Sequence, residues 1–141
     1  MSALVSTIEI DCPPDKVFAV ATDPHRYADW QRDVVGVRMT GVSTFVTTRR
    51  FAGAKRAMTQ EVTRNEPPCS FAVRGVDGPV RAHASIEVEP LDEGTRSRVT
   101  FTLDFDGHGV GTALIPLVRR QAARGAPVSY ANLKRLLEQS P

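Results

Sequence analysis

The chain is poor in cysteine and lysine, has few aromatic residues and contains no long apolar run. Two cysteines, Cys12 and Cys69, stand in 141 residues, with no C-x-x-C pair and no Cys/His cluster. That spacing speaks against a zinc site; a single disulfide stays open, with nothing to suggest an oxidising compartment, and both thiols are expected to be buried or half-buried. The histidines His25, His83 and His108 are scattered, and no three histidines or carboxylates have ligand spacing, so neither a metal nor a cofactor is expected. The longest apolar stretch, Ala113 to Val118, is broken by Pro116 and is far too short to span a bilayer. The opening MSALVSTIEI has no basic segment followed by an apolar core, so no secretion signal is read there. A cytoplasmic chain without stable membrane insertion is expected. Charge of one sign is also missing: the net charge is +2, and no concentrated basic face points to nucleic acid. No G-x-S-x-G or similar nucleophile context occurs. Arginine outnumbers lysine 15 to 3 and alanine is abundant, a bias associated with GC-rich bacterial genomes.

What remains is an ordinary globular composition, 41% hydrophobic and 24% charged, in a length that suits one domain over 1–141. The most informative stretch is TIEIDCPPDKVFAVATDPHRYADW at 7–30. Ile8 and Ile10 alternate with polar neighbours, which predicts a strand. Pro13 and Pro14 end it and open a helix, because proline is tolerated only in a first turn. Val17, Phe18 and Ala21 recur at helical spacing. Asp23-Pro24 is a second helix start, with Tyr27 and Trp30 on one face.

Six strands follow, predicted over 34–40, 44–51, 57–64, 71–75, 80–89 and 96–106, with turns at 41–43, 52–55, 65–68, 76–79 and 90–94. In the last two strands one side is apolar: Val80, Ala82, Ala84, Ile86 and Val88, then Val99, Phe101, Leu103 and Phe105. Such alternation describes antiparallel strands with one wet side. Gly107-His108-Gly109-Val110-Gly111 loosens the chain; no further strand completes a phosphate-binding unit, so it reads as a hinge. From Thr112 the period is helical, with Leu114, Val118, Gln121, Gly125, Val128, Asn132 and Leu136 on one stripe. Pro127 predicts a kink or break near Arg124. Arg119, Arg120 and Arg124 read as a solvated face. A curved sheet over one helix tends to leave a hole.

With T-I-E-I-D-x-P-P-D-K-V-F at 7–18, D-P-x-x-Y-x-x-W at 23–30, E-P-P at 66–68, E-P-x-x-x-G-T-R at 89–96 and N-L-K-R-L-L-E at 132–138, the chain resembles the START-like superfamily. This group is also called SRPBCC or helix-grip proteins, and the likeness is to its polyketide cyclase/dehydrase and lipid-transport branch. It covers about Ser6 to Gln139. Two places depart from the pattern: Ser43-Thr44 where such proteins often carry Gly-Thr, and Pro127 inside the closing helix. The resemblance implies an α+β fold: a seven-stranded antiparallel sheet curved around a long C-terminal helix, with two short helices after strand 1. It also implies one elongated cavity between sheet and helix.

Residue size agrees with that implication. Ala82, Ala84, Gly75 and Gly125 are small, and Trp30, Met58, Phe71, Phe101 and Phe105 supply apolar walls, as in most small-molecule sites. Val118, Gln121 and Val128 line the helix side. Of the adjacent Arg49 and Arg50 only one can face inward; Arg50 is the expected one, on the face of Val46 and Thr48. An arginine there suits a carboxylate, phenolate or enolate oxygen. Gln60 shares a face with Met58 and Val62 and is placed to bond a ligand oxygen or a neighbouring backbone group. Tyr130 and Asn132 are weaker candidates. About 300 Å² of buried ligand surface at roughly 25 cal/mol/Å² gives about 7 kcal/mol gross, which after ordering costs leaves micromolar binding.

Three readings compete. The first is a monomer or homodimer that binds a small hydrophobic molecule: a lipid, a quinone or a polyketide-like compound. The second is a polyketide cyclase or aromatase, with Arg50 and Gln60 as donors to an enolate. It lacks a general base inside, since Glu61 and His83 alternate outward. The third and weakest is a protein–protein interaction module.

Overall fold

A computed structural model of the chain describes residues 3–51 and 53–139. The first strand, β1 (Leu4–Ile10), leads into α1 (Pro14–Ala21), a 3-10 turn (Pro24–Arg26) and α2 (Tyr27–Trp30). Six more strands follow: β2 (Val34–Met39), β3 (Thr44–Phe51), β4 (Ala54–Glu66), β5 (Ser70–Gly75), β6 (Val80–Leu91) and β7 (Arg96–Gly107). A 3-10 segment (Gly109–Leu114) then opens α3 (Ile115–Gln139). The strands form one antiparallel sheet in the order β1-β7-β6-β5-β4-β3-β2. This is the helix-grip α+β architecture: a seven-stranded sheet, a long terminal helix and short helices after the first strand.

The local causes are the ones read above. Pro13 is extended, with φ −61° and ψ 150°, and Pro14 begins α1, whose Val17, Phe18 and Ala21 are buried. The Asp23 carboxylate accepts the His25 backbone N–H at 3.0 Å and caps the second start. Strand register sets the inner face of the sheet. Val99 stands opposite Ile8 and Val88, Phe101 opposite Ile86, Ile86 opposite Phe71, and Phe45 opposite Gln60. All of these except Ile8 are buried, and Ile8 packs against the same core. Charged residues occupy the outer face, where Arg64 meets Glu87 and Arg74 meets Glu61.

Four expectations change. The turn at 52–55 is shorter, with β4 beginning at Ala54 and Gly53 at φ +78°; Ala52 lies outside the described residues. β6 continues through Pro90 to Leu91, because pairing with β5 ends at Glu87 and the missing proline N–H faces no strand. α3 runs unbroken through Pro127. Ala123, whose carbonyl that proline leaves unpaired, is exposed, so water can satisfy it. The glycine segment is anchored at two points rather than left as a loose hinge. The His108 N–H donates to the Pro79 carbonyl at 2.8 Å, and a Cβ on Gly111 would lie 1.7 Å from the same oxygen.

α3 also turns a different face inward. Ser129, Leu133 and Leu137 are its buried residues, about one position round the helix from the predicted stripe. Ser129 is buried because its Oγ accepts the Arg32 backbone N–H at 3.0 Å, and Asn132 Nδ2 donates to the Trp30 carbonyl at 3.3 Å. These two bonds clamp α3 against α2. At the far end, the Ser97 hydroxyl donates to the Cys12 carbonyl at 2.7 Å, closing α1 onto the sheet. Cys12 is buried, Cys69 is exposed, and both are free.

Candidate functional site

The interior between sheet and helix is built from the inward residues of β3, β4, β6 and β7, the face of α2 and the inner face of α3. On β3 the decisive observation is parity. Phe45 and Thr47 are fully buried, so Arg49 shares their side and Arg50 points out. This corrects the expectation of an inward Arg50. The Arg49 guanidinium is spread over two partners: Nη1 donates to Asp33 Oδ1 at 2.8 Å, and Nη2 donates to Gln31 Oε1. Both partners sit just past α2, so the segment that holds Trp30 also positions Arg49. Opposite Phe45, Gln60 is buried and its Oε1 accepts from Thr47 Oγ1 at 2.7 Å. The acceptor and the hydroxyl of this pair satisfy each other, which explains how two polar groups sit in the core.

Aromatic rings fill the part nearest the C-terminal half of α3. Tyr130 stacks on Phe101 at 3.8 Å, Trp30 tilts against Phe101 at 6.3 Å, and Tyr27 meets both Trp30 and Phe45 edge-on. Trp30 is 3% exposed, and its Nε1–H has no hydrogen-bond partner among the described residues. A buried donor left unpaired is costly, and this one still lacks an acceptor among the described residues. Burial raises the Tyr130 phenol to about 12, partly offset by the Arg49 charge, and pushes Tyr27 higher still. Both phenols therefore stay protonated at neutral pH and can donate; neither can act as a base.

A family model described as polyketide cyclase/dehydrase and lipid transport matches residues 1–138. The chain belongs to this family. Among solved structures it resembles a START superfamily protein from Mycobacterium smegmatis, at 14% identity and a TM-score of 0.82, with 99% of each chain covered. It resembles the Zhui aromatase/cyclase from Streptomyces sp. R1128 at 17% identity and a TM-score of 0.82, covering 97% of this chain and 93% of that one. The di-domain aromatase/cyclase BexL of the BE-7585A biosynthetic pathway is similar at 17% identity and a TM-score of 0.74, covering 96% of this chain and 46% of that one. No curated protein sequence matches the chain. At these identities the solved structures carry the fold, and activity has to be argued from the site.

Within this member of the polyketide cyclase/dehydrase and lipid-transport family, the predicted lining residues separate into groups. Trp30 and Phe101 meet in the aromatic cluster, and Phe71 packs edge-on against Phe18 at 6.2 Å. Met58, Ala82, Ala84 and Phe105 lie on the inner face of the sheet and are only half-buried, as are Val118 and Gln121 on α3. Val128 is 42% exposed and does not line the interior, a consequence of the rotated helix face. The expected cavity running the full length is not present at the C-terminal half of α3, where Leu133, Leu137 and the stacked rings fill the space. Toward the N-terminal half, solvent reaches side chains that point only inward, so the sheet stands open there.

Tyr27, Phe45 and Thr47 complete the site and were not among the candidates. The signal for the last two was present: a large aromatic at the start of β3 fixes which residues of that strand face in. Outside, two grooves of about 290 and 350 Å³ lie over the wet face of the sheet. The first is lined by Arg74, Arg81, His83, Asp106 and His108, with His83 Nε2 at 2.6 Å from Asp106 Oδ2. His83 and Glu61 face outward as alternation predicted, and Glu61 is engaged by Arg74. Among the described residues no group of three or more histidine, cysteine or acidic side chains could hold a metal, and no helix is long and apolar enough to cross a membrane.

Proposed function

We propose that the chain binds a small hydrophobic molecule carrying at least one oxygen acceptor, in the open part of the space between the sheet and α3. A quinone or polyketide-like compound fits this description better than a plain hydrocarbon tail. The observation that carries the proposal is the buried, unpartnered Trp30 Nε1–H. Around it the polar chemistry is donor chemistry: Arg49, which also holds Asp33 and Gln31, and two phenols that burial keeps protonated, while the Gln60 oxygen is already occupied by Thr47. An apolar body would cover Met58, Ala82, Ala84 and Phe105, and its oxygen would face these donors. No stable membrane insertion and no nucleic acid partner belongs to this reading.

A second reading, a polyketide cyclase, draws on the same donors. A guanidinium beside two phenols would stabilise an enolate formed during aldol closure. Among the described residues the interior supplies no group suited to remove the first proton, so binding is preferred.

Trp30 is the only tryptophan, so its fluorescence reports directly on the site. Titration with a naphthoquinone and an anthraquinone should give a saturable change at micromolar concentration. Arg49→Ala should weaken it by roughly tenfold, the loss expected for a charge-assisted hydrogen bond. Arg50→Ala should leave it unchanged. No saturable change with either probe overturns the binding reading. Cyclisation of a tethered polyketide that depends on Arg49 would instead establish the enzyme.

A further inference from the structure

We propose that the end of the molecule where β7 passes into α3 docks on an anionic lipid surface. The proposal stands whether or not the interior holds a ligand.

The first observation is a run of exposed aliphatic side chains. Val110 is 81% exposed, Leu114 40% and Leu117 50%, with Ala113 and Pro116 exposed between them. Single exposed apolar residues need no explanation, but a contiguous set on one short segment does. This segment is also not free to fold away, because Gly111 and His108 fasten it to Pro79.

The second observation is charge. No acidic residue stands between Asp106 and Glu138. Continuing round the exposed face of α3 from Leu117 come Arg120 and Arg124, neither of which has an ion-pair partner among the described residues. Arg49, Arg64, Arg74 and Arg96, by contrast, each meet a carboxylate. The β3–β4 hairpin reaches the same end. Gln60 pairs with Gly75, and both strands then run on to the Phe51–Ala54 pair, past the β5–β6 turn. That arm carries Lys55 and Arg56, and no acid stands between Asp33 and Glu61.

Exposed aliphatic side chains followed by arginine on a helical segment fit the boundary between headgroups and acyl chains. A fluid lipid layer accepts protruding valine and leucine without a matching pocket, and its anionic headgroups complement the unpaired arginines. An acidic protein would match the charge. The aliphatic residues protrude, however, and form no groove for a partner's side chains, while aromatic residues and methionine, which are enriched in protein interfaces, are missing from the run.

The test is co-sedimentation of the full chain with vesicles of phosphatidylcholine alone and of phosphatidylcholine mixed with phosphatidylglycerol. Binding should require the anionic lipid and weaken as salt rises. Arg120→Ala and Arg124→Ala should each lower it roughly fivefold. Val110→Asp combined with Leu117→Asp should lower it by roughly tenfold or more. Circular dichroism and Trp30 fluorescence check folding; if the double variant misfolds, Leu117→Gln alone reads the same contact. Equal binding to both vesicle types, no binding at low salt, or binding indifferent to Val110 and Leu117 overturns the proposal. So does capture by an acidic protein without any vesicle binding.

Discussion

Tyr130 lies flat on Phe101, with ring centroids 3.8 Å apart and planes 11° from parallel. One ring belongs to α3 and the other to the centre of β7, so this stack is a direct bond between helix and sheet. Its strength comes from the rings and not from the hydroxyl. Tyr130→Phe should therefore change stability by less than about 1 kcal/mol, whereas Tyr130→Ala should cost about 2–4 kcal/mol. Urea unfolding of the two variants checks the difference.

The two tyrosines also make an alkaline reporter. A phenol ionises near pH 10.0 in the unfolded chain, and in the fold burial holds Tyr130 to about 12 and Tyr27 higher. Above the unfolded value the unfolded chain loses protons that the folded chain keeps. Stability is thus full below about pH 10 and declines as pH climbs toward 12. Tyrosinate absorbance should stay near zero at pH 10 and rise together with loss of structure. Titration of either residue at its ordinary value in the intact fold would contradict the buried placement.

The face that α3 turns inward can be checked by a pair of truncations. Leu133 is fully buried and Val128 is 42% exposed. Leu133→Ala should lose about 2–5 kcal/mol, while Val128→Ala should stay within about 0.5 kcal/mol of the parent. A larger loss at Val128 than at Leu133 would restore the predicted stripe.

Two glycines should respond in opposite directions. A Cβ at Gly111 would overlap the Pro79 carbonyl, whereas a Cβ at Gly125 meets nothing within 4 Å. Gly111→Ala should destabilise the chain, through displacement of the segment before α3. Gly125→Ala should stabilise it by about 1 kcal/mol, because alanine loses less backbone freedom in a helix. Thermal unfolding separates the two.

Much of this fold is written in local pattern. The limits of β3 at Thr44 and Phe51, the proline-led start of α1 and the alternation of β6 and β7 all follow from the chain. The site was less legible, for identifiable reasons. Between Val46 and Thr48 the two sides of β3 look alike, so the choice between Arg49 and Arg50 turns on Phe45 and Phe51 at the strand's ends, which share the side of Arg49. In α3 neighbouring rows are similarly apolar, with Leu136 beside Leu137. The tie is broken by Ser129, whose inward turn depends on a backbone donor from a distant segment, Arg32. The pairing of Thr47 with Gln60 is equally non-local, since it needs the register of two strands before the atoms can meet.

The first strand lies beside the last, Leu4 opposite Leu103 and Ile10 opposite Ser97. During synthesis β1 therefore stays unpaired until β7, the last of the seven strands, has left the ribosome. Such distant closure makes for slow folding. Truncation before β7 should yield an aggregating fragment instead of a smaller domain.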